Sequence, residues 1–349
     1  MSGGVDSSVA ASLLVDAGHD VVGLSMQLYD QRDGQTSFGT CCTIDDLHDA
    51  RRVADALGIP HYVLNFERQF EERVVADFVR EYAAGRTPIP CVHCNADLKF
   101  ATLLERATGL GGHAVATGHY ARVDTDALSG RRILRRGIDA SRDQSYFLFS
   151  LDQTQLAGAI FPLGTWPKAR VREYARDRRL PTAEKPESRE ICFVPSGHYA
   201  DFVERRAPDR RTEGAIVDQG GREIGRHAGV HRFTVGQRRG LGVASATPLF
   251  VLGLDAEARH VTVGPRAALA RTRLTASRVS WVAGEPPAPG RPVSAQIRYK
   301  HPPASAHLHP LRDAGRVAVE FDDPQHAVTP GQAVVFFDDD VVLGGGWID

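Results

Sequence analysis

The chain has 349 residues, 42% hydrophobic and 24% charged, and its 42 basic side chains against 43 acidic ones leave a net charge of -1. That composition excludes a disordered chain and a polycation that holds nucleic acid by bulk charge, and the length fits two or three domains. No apolar run approaches a membrane span and the opening MSGGVDSS lacks a signal peptide's charged and apolar regions, so a cytoplasmic protein with no membrane partner is expected.

Helical and strand-type patterns alternate as far as about residue 120. A helix is expected over Asp6 to Ala17, a strand over Val21 to Leu28, a helix over Asp45 to Leu57 and a strand over His61 to Phe66. A long helix from Glu67 to Ala84 should stop at Gly85 and give way to a proline-broken loop from Arg86 to Asn95. A helix over Ala96 to Ala107 and a strand over Ala114 to Thr117 follow. Such alternation predicts an α/β domain with a mostly parallel sheet covered on both faces. From about residue 212, short strands between Gly, Pro and Asp turns predict antiparallel β structure. Breaks are placed near 195 and 270, giving segments 1–195, 196–270 and 271–349.

The most specific local signal is Ser2-Gly3-Gly4-Val5-Asp6-Ser7-Ser8 running into an apolar helix. Small residues let backbone N-H groups approach an anion, and a helix start favours phosphate. Ser7 and Ser8 add hydroxyl donors, and Asp6 can hold magnesium against the phosphates. Ordinary capping by Ser and Asp is the plainer reading of any one of these residues. The string lacks the Gly-Lys-Ser/Thr of a Walker loop and the spacing of a dinucleotide fingerprint, which argues against a kinase, a GTPase or a dehydrogenase.

Five cysteines, two of them adjacent, do not form a disulfide framework in a reducing compartment. Cys91 and Cys94 make a C-x-x-C pair and Cys192 follows nearly a hundred residues later. A thiolate is a good nucleophile and a second thiol can carry sulfur as a persulfide. The same set, with Cys41-Cys42 or Cys192, can equally ligate zinc or an iron-sulfur cluster, and spacing alone leaves these open. Cys94 lies just before the predicted helix at 96, where the dipole would lower its pKa. Cys41 and Cys42 receive no role.

Arginine clusters at 131, 132, 135, 136 and at 205, 206, 210, 211 read as solvated surface first and phosphate contacts second, whereas Arg238 and Arg239 in a glycine-rich turn are better phosphate candidates. Tyr146 and Phe147 read as core rather than base-stacking platforms. His119, at a strand end beside Gly118, is weighed between a structural and a functional histidine.

The loop is similar to the SGGxDS loop of ATP pyrophosphatases, which cleave ATP between the α- and β-phosphates. Nine strings recur in order: SGGVDSS, GRTP through Cys94-Asn95 with Lys99-Phe100, ATGHY, DQSYF, ICF, GQRRGLG, IRY, TPGQ and LGGG. Together they resemble the bacterial tRNA-specific 2-thiouridylases over nearly the whole chain. The resemblance implies an ATP pyrophosphatase domain, a small β-rich central domain and a C-terminal antiparallel β-barrel. It implies Cys94 as nucleophile and Cys192 as persulfide carrier, with a disulfide between them after sulfur transfer. ATP would meet Ser2, Gly3, Gly4, Val5, Asp6, Ser7, Met26 and Gly118, with magnesium brought by ATP. Ile89, Pro90 and Cys91 would meet the target base. His119, Arg142, Asp143, Gln144, Arg298, Tyr299 and Gln332 would contact tRNA.

The family suggests tRNAs for Lys, Glu and Gln and a cysteine desulfurase or sulfur relay as partners. Some members carry an acid/base aspartate where this chain has Cys91, and a thiol with its higher pKa suits that role poorly. An iron-sulfur thiolase using Cys91, Cys94 and Cys192 is therefore the alternative, and a non-catalytic RNA-binding protein the third reading. In this family a strand precedes the loop, so a misassigned start is expected at Met1.

Overall fold

The computed structural model describes residues 1–29, 44–186, 191–194, 198–207, 213–313 and 315–349. Cys41, Cys42, Arg210 and Arg211 lie outside the described residues. The described chain forms two compact units, one of Met1–Val75, Cys91–His198 and Asp340–Val342, the other of Ala76–Pro90, Tyr199–Asp339 and Leu343–Asp349.

In the first unit α1 (Val5–Asp16), β1 (Gly23–Gln27), α2 (Ile44–Leu57) and β2 (His61–Asn65) follow the expected alternation. The helix expected over 67–84 consists of α3 (Glu67–Phe70), a π-helical turn (Glu71–Val75) and α4 (Ala76–Ala83), of which α4 belongs to the second unit. Next come α5 (Pro90–His93), a π-helical stretch (Cys94–Thr102), α6 (Leu103–Gly109) and the strands β3 (Val115–Ala116), β4 (Ala121–Thr125) and β5 (Arg132–Arg136). The unit continues with α7 (Gln153–Ala157), β6 (Ala159–Ile160) and α8 (Lys168–Asp177).

Strand β1 runs parallel to β2 from Gly23 beside His61 to Gln27 beside Asn65, and β3 runs parallel to β6. The parallel direction is as expected, but the described strands form two separate pairs, and cover on both faces does not reach β2, where Tyr62 and Val63 are exposed. The core packs the apolar stripe Val5, Val9 and Ala10 of α1 against Val171 and Ala175 of α8, with Tyr120, Leu163 and Leu180. This burial, rather than helix propensity, fixes α1 behind the glycine turn.

The β4-β5 hairpin is antiparallel. Its arginines pair internally: Arg135 meets Asp124 and Asp340 at 2.7 Å each, and Arg136 meets Asp143 at 3.1 Å. The first arginine cluster thus braces a hairpin that local propensity did not announce.

The second unit holds α9 (Tyr199–Arg206) and a sheet of β7 (Gly214–Val217), β8 (Glu223–His227), β9 (Phe250–Asp255) and β10 (His260–Gly264) in the order β8-β7-β10-β9. Here β7 and β10 are parallel, which departs from the purely antiparallel expectation because the long connection from 228 to 249 returns the chain on the far side of β7. Strands β11 (Ala270–Trp281), β12 (Arg291–Gln296), β13 (Ala304–Pro310), β14 (Val317–His326), β15 (Ala333–Asp338) and β16 (Val341–Ile348) then form an antiparallel barrel closed by β11 against β16. Ala276, Leu308, Val317, Val319, Val334 and Phe336 fill it, each at most 1% exposed. No helix among the described residues is long and apolar enough to cross a membrane.

Candidate active site

Gly3 adopts φ +66°, and a Cβ there would lie 2.2 Å from the Asp46 carbonyl of α2, so only glycine fits this turn. Gly4 caps α1 with extended backbone and no side-chain hydrogen bond. The plainer reading of the string, a Ser or Asp cap, is thereby set aside: Ser7 and Ser8 hydroxyls donate to the Gly4 carbonyl at 3.1 and 2.9 Å, and the first-turn N-H groups keep their capacity for an anion. Gly118 closes on the same turn, since a Cβ there would sit 2.7 Å from the Asp6 carbonyl carbon and 2.8 Å from the Ser7 nitrogen. The structure thus brings Gly118 to the loop, as its assignment to the nucleotide requires. Met26 is nearly buried on β1.

Asp6 has both carboxylate oxygens on the Lys168 ammonium at 2.7 and 2.8 Å, and accepts from the Tyr120 hydroxyl at 2.8 Å. Lys168 was not legible in the sequence, since Asp6 lies 162 residues away. Lys185 was missed too, although it stands shortly before the Ile-Cys-Phe string. Its ammonium meets Asp46 at 2.7 Å and Asp49 at 2.5 Å; burial opposes the charge, but the two carboxylates outweigh it and raise the pKa. Through α2, Lys185 connects the segment leading to Cys192 with the carbonyl that faces Gly3.

The helix carrying the cysteines begins at Pro90, not at 96. Cys94 therefore lies a full turn inside the helix, nearly buried, and the expected dipole activation at its start does not apply; the exposed Cys91 occupies the first turn instead. Propensity failed here because Pro at the first helical position is well tolerated while reading as a breaker in a run of prolines. The π-helical register from Cys94 is held by Asn95, which donates to the Phe147 carbonyl at 3.2 Å, and by Gln155, which donates to the Ala96 carbonyl at 2.9 Å. Lys99 donates to the Asn95 side chain at 3.0 Å. Cys192 is half-buried and its neighbour Phe193 packs edge-on against Phe70 of α3 at 5.4 Å.

Cys91, Cys94 and Cys192 are not joined in disulfides. Among the described residues no three His, Cys, Asp or Glu side chains are grouped to hold a metal, so the three cysteines do not fit an iron-sulfur cluster.

His119 is half-buried as a residue, its Nδ1 lies 2.8 Å from the Thr117 hydroxyl, and Phe100 and Phe161 flank the ring. Burial of the ring, then the nearby Lys99 charge, holds its pKa well below 6.5. Below pH 6.5 the unfolded chain binds a proton that the folded ring refuses, so this contribution is present above that pH and declines as pH falls toward the folded value. His119→Gln should therefore lose less Tm than the wild type between about pH 7 and about pH 5; identical pH profiles would refute this origin.

Of the other residues expected at RNA, Asp143 is turned inward. Its carboxylate accepts from the Gly137 and Ser145 amides, the Ser145 hydroxyl and Arg136, bonds that organise the loop. Gln144 accepts from the Tyr120 amide at 3.1 Å, and Arg142 is half-buried on the same loop. Tyr146 is core, 1% exposed.

In the second unit Arg298 donates to the His326 carbonyl at 3.3 Å and the Tyr299 carbonyl accepts from Gln296 at 2.6 Å. Arg238 and Arg239 are exposed. The Gln332 side-chain amide donates to the Thr87 carbonyl at 2.9 Å, the Thr87 amide donates to the Pro330 carbonyl at 2.9 Å, and Arg86 donates to the Ile348 carbonyl at 3.0 Å. These bonds moor the segment that leads through buried Ile89 and Pro90 toward Cys91. In Gln332→Ala, loss of one such bond should quicken amide exchange at Thr87 by about fivefold; unchanged exchange would show that Gln332 does not moor it.

A family model described as the tRNA methyl transferase HUP domain matches residues 1–196, one described as the tRNA methyl transferase PRC-barrel domain matches 200–265, and one described as the aminomethyltransferase beta-barrel domain matches 271–348. The tRNA-specific 2-thiouridylase MnmA of Geotalea uraniireducens (strain Rf4) is 52% identical over 100% of this chain and 93% of its own length. That of Solibacter usitatus (strain Ellin6076) is also 52% identical, over 100% of this chain and 98% of its own. The chain belongs to the tRNA-specific 2-thiouridylase family. The 2-thiouridylase architecture of HUP domain, PRC-barrel-like middle and closed antiparallel barrel accounts for the order of α/β and β structure along the chain.

Proposed function

We propose that this chain is an ATP-dependent sulfurtransferase that converts the wobble uridine, position 34, of tRNA to 2-thiouridine. Segment 1–195 would carry nucleotide and cysteines, and 196–270 and 271–349 the grip on tRNA. The observation that carries the reading is the glycine turn with its uncapped helix start, built in the same compact unit as Cys94 and Cys192.

Ser2 through Ser7, with Met26 and Gly118, would seat ATP with its magnesium. The uracil O2 attacks the α-phosphorus, the bond to the bridging oxygen breaks and pyrophosphate leaves; the adenylated oxygen is then a leaving group. A cysteine desulfurase or sulfur relay supplies the outer sulfur of a Cys192 persulfide. That sulfur attacks C2, AMP departs, and the Cys94 thiolate attacks the inner sulfur, leaving thiocarbonyl on the base and a Cys94-Cys192 disulfide that a cellular dithiol reduces. Alternatively Cys94 attacks first and hydrosulfide is the species that reaches C2.

Ile89, Pro90 and Cys91 would meet the base, flipped from its stack at a cost of roughly a few kcal/mol. His119, Arg142, Gln144, Arg298, Tyr299 and Gln332 would contact the RNA, with Arg238 and Arg239 on phosphate and Asp143 supporting its neighbours. Substrates would be tRNAs for Lys, Glu and Gln in the cytoplasm. In the test, AMP and 2-thiouridine should form in equal amounts from unmodified tRNA, and 2-thiouridine formed without ATP would overturn the reading.

A further inference from the structure

Lys168 is an anomalous residue for its position. It opens α8, where the helix dipole disfavours a cation, and its side chain is only 10% exposed. Lysine is almost never buried unless paired, and its placement requires a partner strong enough to offset desolvation. That partner is Asp6, held through both oxygens at 2.7 and 2.8 Å, with the Tyr120 hydroxyl on the same carboxylate and the ammonium 5.8 Å from the Tyr120 ring centre. The Lys168 amide is itself fixed by the Asp139 carboxylate at 2.9 Å.

Asp6 sits in the first turn of α1, beside the N-H groups that the proposed function assigns to phosphate. An unscreened carboxylate there would repel a polyphosphate. We propose that Lys168 is a positioning residue for the nucleotide loop: by binding both oxygens of Asp6 it cancels the loop's one negative charge and turns that carboxylate away, so that the start of α1 presents a net positive field to the triphosphate. The inference rests on the ATP reading of the loop and adds to it a residue outside the loop that sets its charge.

The test is isothermal titration of the full chain with ATP plus magnesium and, separately, with adenosine. Lys168→Met should weaken ATP by about tenfold or more while adenosine affinity stays within about twofold, because only the phosphates feel the exposed carboxylate. Lys168→Arg should hold ATP affinity within about threefold of wild type, whereas the uncharged Lys168→Gln should fall with Lys168→Met. Equal loss of ATP and adenosine would show a merely structural lysine, and wild-type ATP affinity in Lys168→Gln would rule out charge cancellation. A wild-type chain that binds adenosine but not ATP would defeat the nucleotide reading itself, a result distinct from either failure of the variants.

Discussion

Cys94→Ser is expected to lower 2-thiouridine formation from a persulfide donor by at least about a thousandfold, as removal of a nucleophile does in enzymes whose groups act as a unit. The same variant should still release pyrophosphate from ATP when tRNA is added, because activation of the uracil oxygen precedes use of the thiol. Cys94 is nearly buried in a helix pinned by Asn95 and Gln155, and serine occupies slightly less volume at the same rotamer, so the fold should be retained. Parallel measurement of pyrophosphate and of thionucleoside separates the two steps. Loss of both products would mean that Cys94 acts in activation or folding, and retention of both that it is a packing residue.

Gly3→Ala should be the most damaging single change in the nucleotide loop. Alanine must adopt φ +66° and place its methyl carbon 2.2 Å from the Asp46 carbonyl, on backbone that cannot rotate away. The left-handed conformation and the displacement of α2 together should cost about 2–4 kcal/mol. Because α2 also carries the two carboxylates that hold Lys185, the shift should reach Lys185 as well. A lowered Tm together with loss of measurable ATP binding is expected; ATP binding at wild-type affinity would show that the turn does not cradle phosphate.

The sequence pattern made α1, α2, β1 and β2 legible to within two residues; α1, α2 and β1 bury apolar faces, and β2 is a β-branched and aromatic run bounded by Pro60 and Asn65. The loop and the cysteines were legible as chemistry for the same reason that they work: glycines and thiols in those strings have few structural uses. The start of the cysteine helix was not, since Pro90 reads as a breaker when Gly85 and Pro88 precede it, and only the ties to Phe147 and Gln155 show that the helix holds a π register. The β4-β5 hairpin escaped because its stability comes from Arg135 and Arg136 pairing with Asp340 and Asp143, contacts distant in sequence or hidden in a turn. Lys168 and Lys185 escaped for the same reason, as their carboxylates lie more than a hundred residues away. Asp143 was placed at the RNA by resemblance, and its inward hydrogen bonds could be known only from the fold.

Wobble-uridine thiolation by this chain can be measured by anaerobic turnover of unmodified tRNA with ATP, magnesium and a desulfurase donor, followed by mass spectrometry of the nucleosides. The wild-type chain should produce 2-thiouridine at the wobble position, and Cys192→Ser should not. No 2-thiouridine from the wild type, or undiminished product from a Cys94→Ser, Cys192→Ser double variant, would contradict the account.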